Sequence, residues 1–184
     1  FYLEASGPGG APKDQVEARF SPDGHMTVYA VTGASGQGHE TSFAQIIESE
    51  LGWPATRVRY RAGDPAHQLI GNSTGGSRTL YGAGSAVKAM CAALVAKLKP
   101  HAARKLGLAE DAIAFENAAF HIVTKNSELA GPLHVESLID EMMAAGLASE
   151  LEVIGEATSG STFPNGCHCA EVEIDPDTGV TQLL

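Results

Sequence analysis

Gly33-Ala34-Ser35-Gly36-Gln37-Gly38-His39-Glu40-Thr41 joins an apolar, β-rich run, Met26 to Val31, to an amphipathic run, Ser42 to Leu51, that reads as a helix. Glycines let a backbone turn tightly and approach a ligand, because no Cβ blocks them. The helix that follows presents unpaired N–H groups and the positive end of its dipole to whatever the loop holds. That is the chemistry of anion and phosphate binding. A tight turn with a polar cap is the plainer reading of the same residues, so the rest of the chain has to decide.

Upstream, Val16-Glu17-Ala18-Arg19-Phe20 alternates and runs into Ser21-Pro22-Asp23-Gly24, a strong turn signal, so His25 to Val31 reads as the return strand of a hairpin. Downstream, Phe43, Ile46, Ile47 and Leu51 share one helical face and Gly52 fits the stop position. Arg57 to Arg61 alternates as a strand with its basic positions on one exposed side. A second loop, Gly71-Asn72-Ser73-Thr74-Gly75-Gly76-Ser77-Arg78-Thr79, is dense in glycines and hydroxyls, and loops this long are usually functional or disordered. It opens the strongest helix, about Leu80 to Lys99, whose apolar face is Val87, Cys91, Leu94, Val95 and Leu98, with Pro100 marking a break or kink. Beyond it, Ala118 to Val123 and Leu151 to Ile154 read as strands, and His134 to Ala145 as a helix ended by Gly146. Cys167 to Ile174 alternates, and after the turn Asp175-Pro176-Asp177-Thr178-Gly179 another strand begins at Val180. No internal repeat is evident.

The bulk composition narrows the function. A chain of 184 residues with 43% hydrophobic content fits one domain, or two small lobes at about 1–107 and 108–184. A net charge of −10 excludes a general nucleic-acid binder, which needs clustered Lys and Arg. An anion must then be held by backbone N–H groups rather than a basic field. No apolar run approaches the roughly 20 residues that span a bilayer. Neither end carries a signal, cap or polar tail, so the chain reads as an internal piece of something longer. Cys91 fits a small buried residue, while Cys167 and Cys169 flank His168 without metal-ligand spacing. A reducing, cytoplasmic setting and no metal site of the chain's own are expected.

The ordered set of motifs resembles a known family. Gly36-Gln37-Gly38-His39-Glu40-Thr41 with Gln45, then Gly63-Asp64, then Gly76-Ser77-Arg78 entering a long helix, is similar to the molybdenum hydroxylases. These are the xanthine dehydrogenase, aldehyde oxidoreductase and aerobic carbon monoxide dehydrogenase large subunits. Phe163-Pro164-Asn165-Gly166 and Ala170-Glu171-Val172-Glu173-Ile174-Asp175-Pro176-Asp177-Thr178-Gly179 resemble a later stretch of the same subunits. The GQGHET form looks most like the bacterial carbon monoxide dehydrogenase branch. Pro65 after Asp64, and His67-Gln68-Leu69-Ile70, depart from the family pattern.

The resemblance implies an α+β fold of mixed sheets with packed helices, and a molybdopterin cofactor, in the bacterial branch its cytosine dinucleotide. Carried over by motif, the cofactor-binding residues are Gly36, Gln37, Gly38, His39 and Thr41, then Thr74, Gly76, Ser77 and Arg78. Gln37 offers donors and acceptors to a pterin edge, and Arg78 can fork onto phosphate. The family's catalytic glutamate lies in a glycine-containing motif that follows the PNG and DPDTG segments. Glu156 of Val153-Ile154-Gly155-Glu156 precedes them and reads as a loop carboxylate. No catalytic residue is therefore expected here, and the chain alone should be inactive. His25, His67, His101, His121, His134 and His168 show no pairing pattern, and Ser35 and Ser77 lack a His/Asp signature for a nucleophile.

The parent protein would oxidise or hydroxylate an aldehyde, a purine-like heterocycle or carbon monoxide. Its expected partners are the remainder of the large subunit, iron–sulfur and FAD subunits or domains, and a small-molecule substrate. Two competing readings are a scaffold piece without cofactor and an unrelated nucleotide-binding module. Against the latter, neither GxxxxGK[ST] nor GxGxxG with a following acidic residue is present.

Overall fold

A computed structural model describes residues 1–7, 9–123 and 131–184. In chain order the elements are β1 (Tyr2–Leu3), β2 (Asp14–Ser21), β3 (His25–Ala30), α1 (His39–Leu51) and β4 (Val58–Ala62). Next come α2 (Thr79–Leu106), β5 (Ile113–Glu116), β6 (Ala119–Ile122), β7 (Leu133–His134) and α3 (Val135–Ala144). Last are β8 (Val153–Ala157), β9 (Asn165–Gly166), β10 (Val172–Ile174) and β11 (Thr181–Leu183).

Strands β2 and β3 form the expected hairpin, from Val16 opposite Ala30 to Ser21 opposite His25. Gly24 takes φ +80° and its N–H closes the turn on the Ser21 carbonyl at 2.9 Å. Strand β3 then pairs with β4 in parallel, and α1 is the crossover between them. Antiparallel β8 completes the sheet β4-β3-β2-β8. The β2–β8 and β1–β9 pairings both run across residues 107 and 108, where the sequence reading divides the lobes.

One sheet face is apolar because the pleat alternates. Val16, Ala18 and Phe20, with Met26, Val28 and Ala30, turn inward against Phe43, Ile47 and Leu51 of α1 and Val87, Met90 and Leu94 of α2. Each fully buried side chain of this kind contributes roughly 1.5–3 kcal/mol relative to exposure. Helix α2 lies so close to β8 that a Cβ on Gly155 would meet the Met90 nitrogen at 2.2 Å. A second sheet, β5-β6-β7, carries buried Ile113 and Phe120 into the same core, joined there by α3 through Val135, Leu138 and Ile139. The architecture is α+β with mixed sheets.

Several sequence expectations need correction. Helix α2 does not break at Pro100; it continues to Leu106 and stops at Gly107, φ +67°. Proline removes the hydrogen bond to the Ala96 carbonyl, but Ala96 is exposed, and buried Leu98, Ala102 and Ala103 hold the helix to the core on either side of the proline. By length and composition α2 could cross a membrane, contrary to the reading of apolar runs, yet its apolar face is spent against the sheet. Arg57 lies in a turn, Ala55–Arg57, ahead of β4; its guanidinium covers the Trp53 ring at 4.1 Å and pairs with Glu136 and Asp140. The Cys167-to-Ile174 strand is shortened to β10, with Cys167 and Cys169 exposed and His168 stacked on Tyr2. Strand β5 had no sequence expectation.

Candidate functional site

Parallel pairing decides where the two glycine-rich loops go. Parallel strands end at one sheet edge, and ligands of α/β units bind outside those carboxyl ends. The first loop leaves β3 after Ala30 and the second leaves β4 after Ala62, their bases tied by the Gly63 N–H to the Ala30 carbonyl at 2.9 Å. Between them lies a cavity of about 360 Å³ lined by Gln37, His39, Ser42, Thr74, Gly75, Ser77, Arg78, Thr79 and Leu80. Residues of both loops named from the sequence thus meet in one cleft. Gly36, Gly38, Thr41 and Gly76 belong to its two loops without lining it.

Both helices that begin here do so without a side-chain cap. Gly38 precedes α1 in the left-handed region, φ +72°, and Arg78 precedes α2. Their first-turn N–H groups are left for a ligand or water, with the helix dipoles adding positive potential. Inside the cleft His39 is 5% exposed, and its Nδ1 is the one buried side-chain nitrogen or oxygen among the described residues that has no hydrogen-bond partner. Its ring stacks on Phe43 and meets Tyr60 edge-on, so packing fixes its orientation. Gln37 Oε1 accepts from the Ser35 N–H at 2.5 Å, which leaves the Gln37 amide NH2 to donate elsewhere.

The second loop is anchored from beneath. Arg78 is 5% exposed; its guanidinium donates to Asp14 Oδ2 at 2.7 Å and to the Gly7 carbonyl at 2.8 Å. Asp14 also accepts from the Asn72 N–H at 2.9 Å. Burial pushes the Asp14 carboxyl up, but bonds from Arg78 and Asn72 outweigh it and hold it below the usual range. Three of the five guanidinium N–H groups of Arg78 are thus spent on Asp14 and the Gly7 carbonyl, and the residue lines the cleft as a clamp. Ser77 takes φ +50°, a strained value for a side-chain-bearing residue, and its hydroxyl donates to Glu4 Oε1 at 2.9 Å.

Other acidic and polar groups fall outside. Glu156 stands on the exposed face of β8, paired with Lys13 at 2.5 Å and Gln15 at 3.1 Å, away from the cleft. A hollow of about 400 Å³ over the closing hairpin is lined by Glu173 and Asp175 with no basic side chain, a poor place for an anion. No cluster of three or more His, Cys, Asp or Glu able to hold a metal occurs among the described residues. Sequence reasoning missed Ser42, Gly75, Thr79 and Leu80. Ser42 was accessible to it, since it lies one turn from Gly38 and bonds that residue's carbonyl at 3.1 Å. Asp14, 64 positions from Arg78, gave no sequence signal.

Comparison with known proteins places the chain in a family. The molybdopterin cofactor-binding domain family matches residues 1–184. The large chain of carbon monoxide dehydrogenase from Hydrogenophaga pseudoflava is 30% identical over 171 residues, 92% of this chain and 21% of that one. The large subunit of nicotine 6-hydroxylase from Paenarthrobacter nicotinovorans is 28% identical, over 98% of this chain and 23% of its own length. Among solved structures, carbon monoxide dehydrogenase from Oligotropha carboxidovorans superposes with a TM-score of 0.77 at 26% identity, covering all of this chain and 24% of the other. Quinoline 2-oxidoreductase from Pseudomonas putida 86 gives 0.70 at 25% identity. The chain spans about a fifth of the length of the curated relatives. It belongs to the molybdopterin cofactor-binding domain family, the cofactor-binding region of molybdenum hydroxylase large subunits.

Proposed function

We propose that the cleft between the two loops grips a pterin dinucleotide of the molybdenum cofactor, in its cytosine form, for a parent oxidoreductase that hydroxylates a small organic substrate or oxidises carbon monoxide. The observation that carries this reading is the convergence of two uncapped helix N-termini on a cavity lined by Gln37 and by His39, whose buried Nδ1 has no partner within the protein. A buried polar atom without a partner costs about 1–3 kcal/mol unless a ligand or water supplies one. Gln37 and His39 address the pterin edge, Gly36 and Gly38 shape the turn that carries them, and the first-turn N–H of Thr41 favours a phosphate at the start of α1. Thr74 and Ser77 line the opposite wall, Gly76 gives that loop its turn, and Arg78 holds it in place through Asp14. When bound, the group supplies a redox-active metal; the chain's own residues bind, orient and enclose it.

The catalytic base, iron–sulfur clusters and FAD would come from other parts of the parent complex, which we place in the cytoplasm. Exposed Leu80 and Tyr81 at the cleft, with Val172, Ile174 and Leu183 on the hairpin, support burial against further chain. Alone, the chain would not turn over substrate. Mass spectrometry of the small molecules released from the intact parent tests the reading. A pterin cytosine dinucleotide is expected, and an adenine nucleotide in its place would overturn it. Gln37→Ala in that parent should lower molybdenum content; an unchanged content counts against the assignment.

A further inference from the structure

Thr32 is 2% exposed, lies two residues past β3 and does not line the cleft, yet it bonds to β4, to the second loop and to the start of α2. Its Oγ1 lies 2.6 Å from Thr74 Oγ1 and 3.3 Å from Thr79 Oγ1, and its carbonyl accepts from the Tyr60 hydroxyl. The direction of these bonds follows from counting hydrogens. A threonine hydroxyl has one to donate, and Thr74 gives its own to the Gly33 carbonyl. Thr32 must therefore donate to Thr74, and Thr79 must donate to Thr32. The result is a one-way chain, Thr79 to Thr32 to Thr74 to Gly33, linking the first residue of α2, the segment just after β3, the second loop and the first loop.

Burial requires Thr32 and Thr79 to find partners. It makes no such demand on Thr74, which is half-exposed and could bond water. Its place in the chain ties one wall of the cleft to the other. We propose that Thr32 is the positioning residue that sets the separation of the two cofactor loops and, through it, how firmly the cleft retains a pterin dinucleotide. This rests on the cofactor reading of the site.

The test uses the full-length parent enzyme and the variants Thr32→Val, Thr32→Ser, Thr74→Val and Thr32→Val/Thr74→Val. Amide hydrogen exchange of residues 33–38 and 71–78 is measured after the cofactor is stripped, and pterin release is timed on the loaded enzyme. Thr32→Val removes two of the three links and should speed both by at least about fivefold, the size of one net hydrogen bond, with the β2–β3 hairpin unchanged. Thr32→Ser should stay within about twofold of wild type, because it keeps the hydroxyl. The double variant should fall short of the product of the two single effects, since both changes cut the shared Thr32–Thr74 bond. Thr74→Val breaks that shared bond and the one to the Gly33 carbonyl at a half-exposed position, and gives the answer even where Thr32→Val folds poorly. Wild-type exchange and release in both valine variants, a serine variant as impaired as valine, or multiplying effects in the double variant would overturn the latch. A wild-type parent yielding no pterin would instead overturn the cofactor reading, and loop exchange in that same protein would still judge the latch.

Discussion

The glycines of the framework and those of the two cleft loops are glycines for different reasons. On the framework side a Cβ has nowhere to go. At Gly9 it would meet Asn72 Oδ1 at 2.1 Å, at Gly82 Asp14 Oδ2 at 2.6 Å, and at Gly155 the backbone of α2 at 2.2 Å. On the cleft side, Gly36, Gly38, Gly75 and Gly76 have nothing within 4 Å of such an atom. Gly36, Gly38 and Gly76 carry positive φ, which explains them by backbone conformation alone. Gly75 does not, so neither packing nor conformation in this chain calls for glycine there. A ligand lying against it would.

The sharpest way to break that comparison is to remove the anchor. Asp14→Ala leaves the Arg78 charge buried and unpaired, and loss of about 3–5 kcal/mol is expected in urea unfolding. A loss below about 1 kcal/mol would mean the network is better solvated than its geometry implies. Next in size, Gly155→Ala forces a Cβ into the backbone of α2, and about 1–3 kcal/mol should be lost through overpacking. Gly75→Ala should change stability by less than about 0.5 kcal/mol while lowering the pterin content of the parent enzyme. Full cofactor content would remove the distinction between the two sets. The smallest effect is a pH signature. The Asp14 carboxyl is held below its ordinary 3.8 in the folded state, so its contribution is complete above that value and is lost as pH falls through the lowered one. The difference in Tm between wild type and Asp14→Asn should be constant near neutrality and narrow only below pH 3.8.

Much of the fold was legible along the chain because its signals are local. The β2–β3 turn at Ser21–Gly24, the face of Phe43, Ile47 and Leu51, and the stop at Gly52 all rest on residues within a few positions of one another. Pro100 misled for the same reason. Local sequence announces a lost hydrogen bond, while the packing of Leu98 and Ala102 that overrides it comes from strands far away in sequence. Arg78 was legible only in part. Its neighbours Gly76 and Ser77 suggested an anion, but the carboxylate it pairs with enters from β2.

The sequence by itself determined the elements, the two glycine-rich loops, the absence of a basic field and, through its ordered motifs, the family. Tertiary structure alone decided that the loops share one cleft, since only the parallel pairing of β3 with β4 brings their carboxyl ends to one edge. It also decided which polar residues line that cleft and which bond within the protein. Hydrogen-bond partners are assigned in three dimensions, and a residue type names only what it can donate or accept.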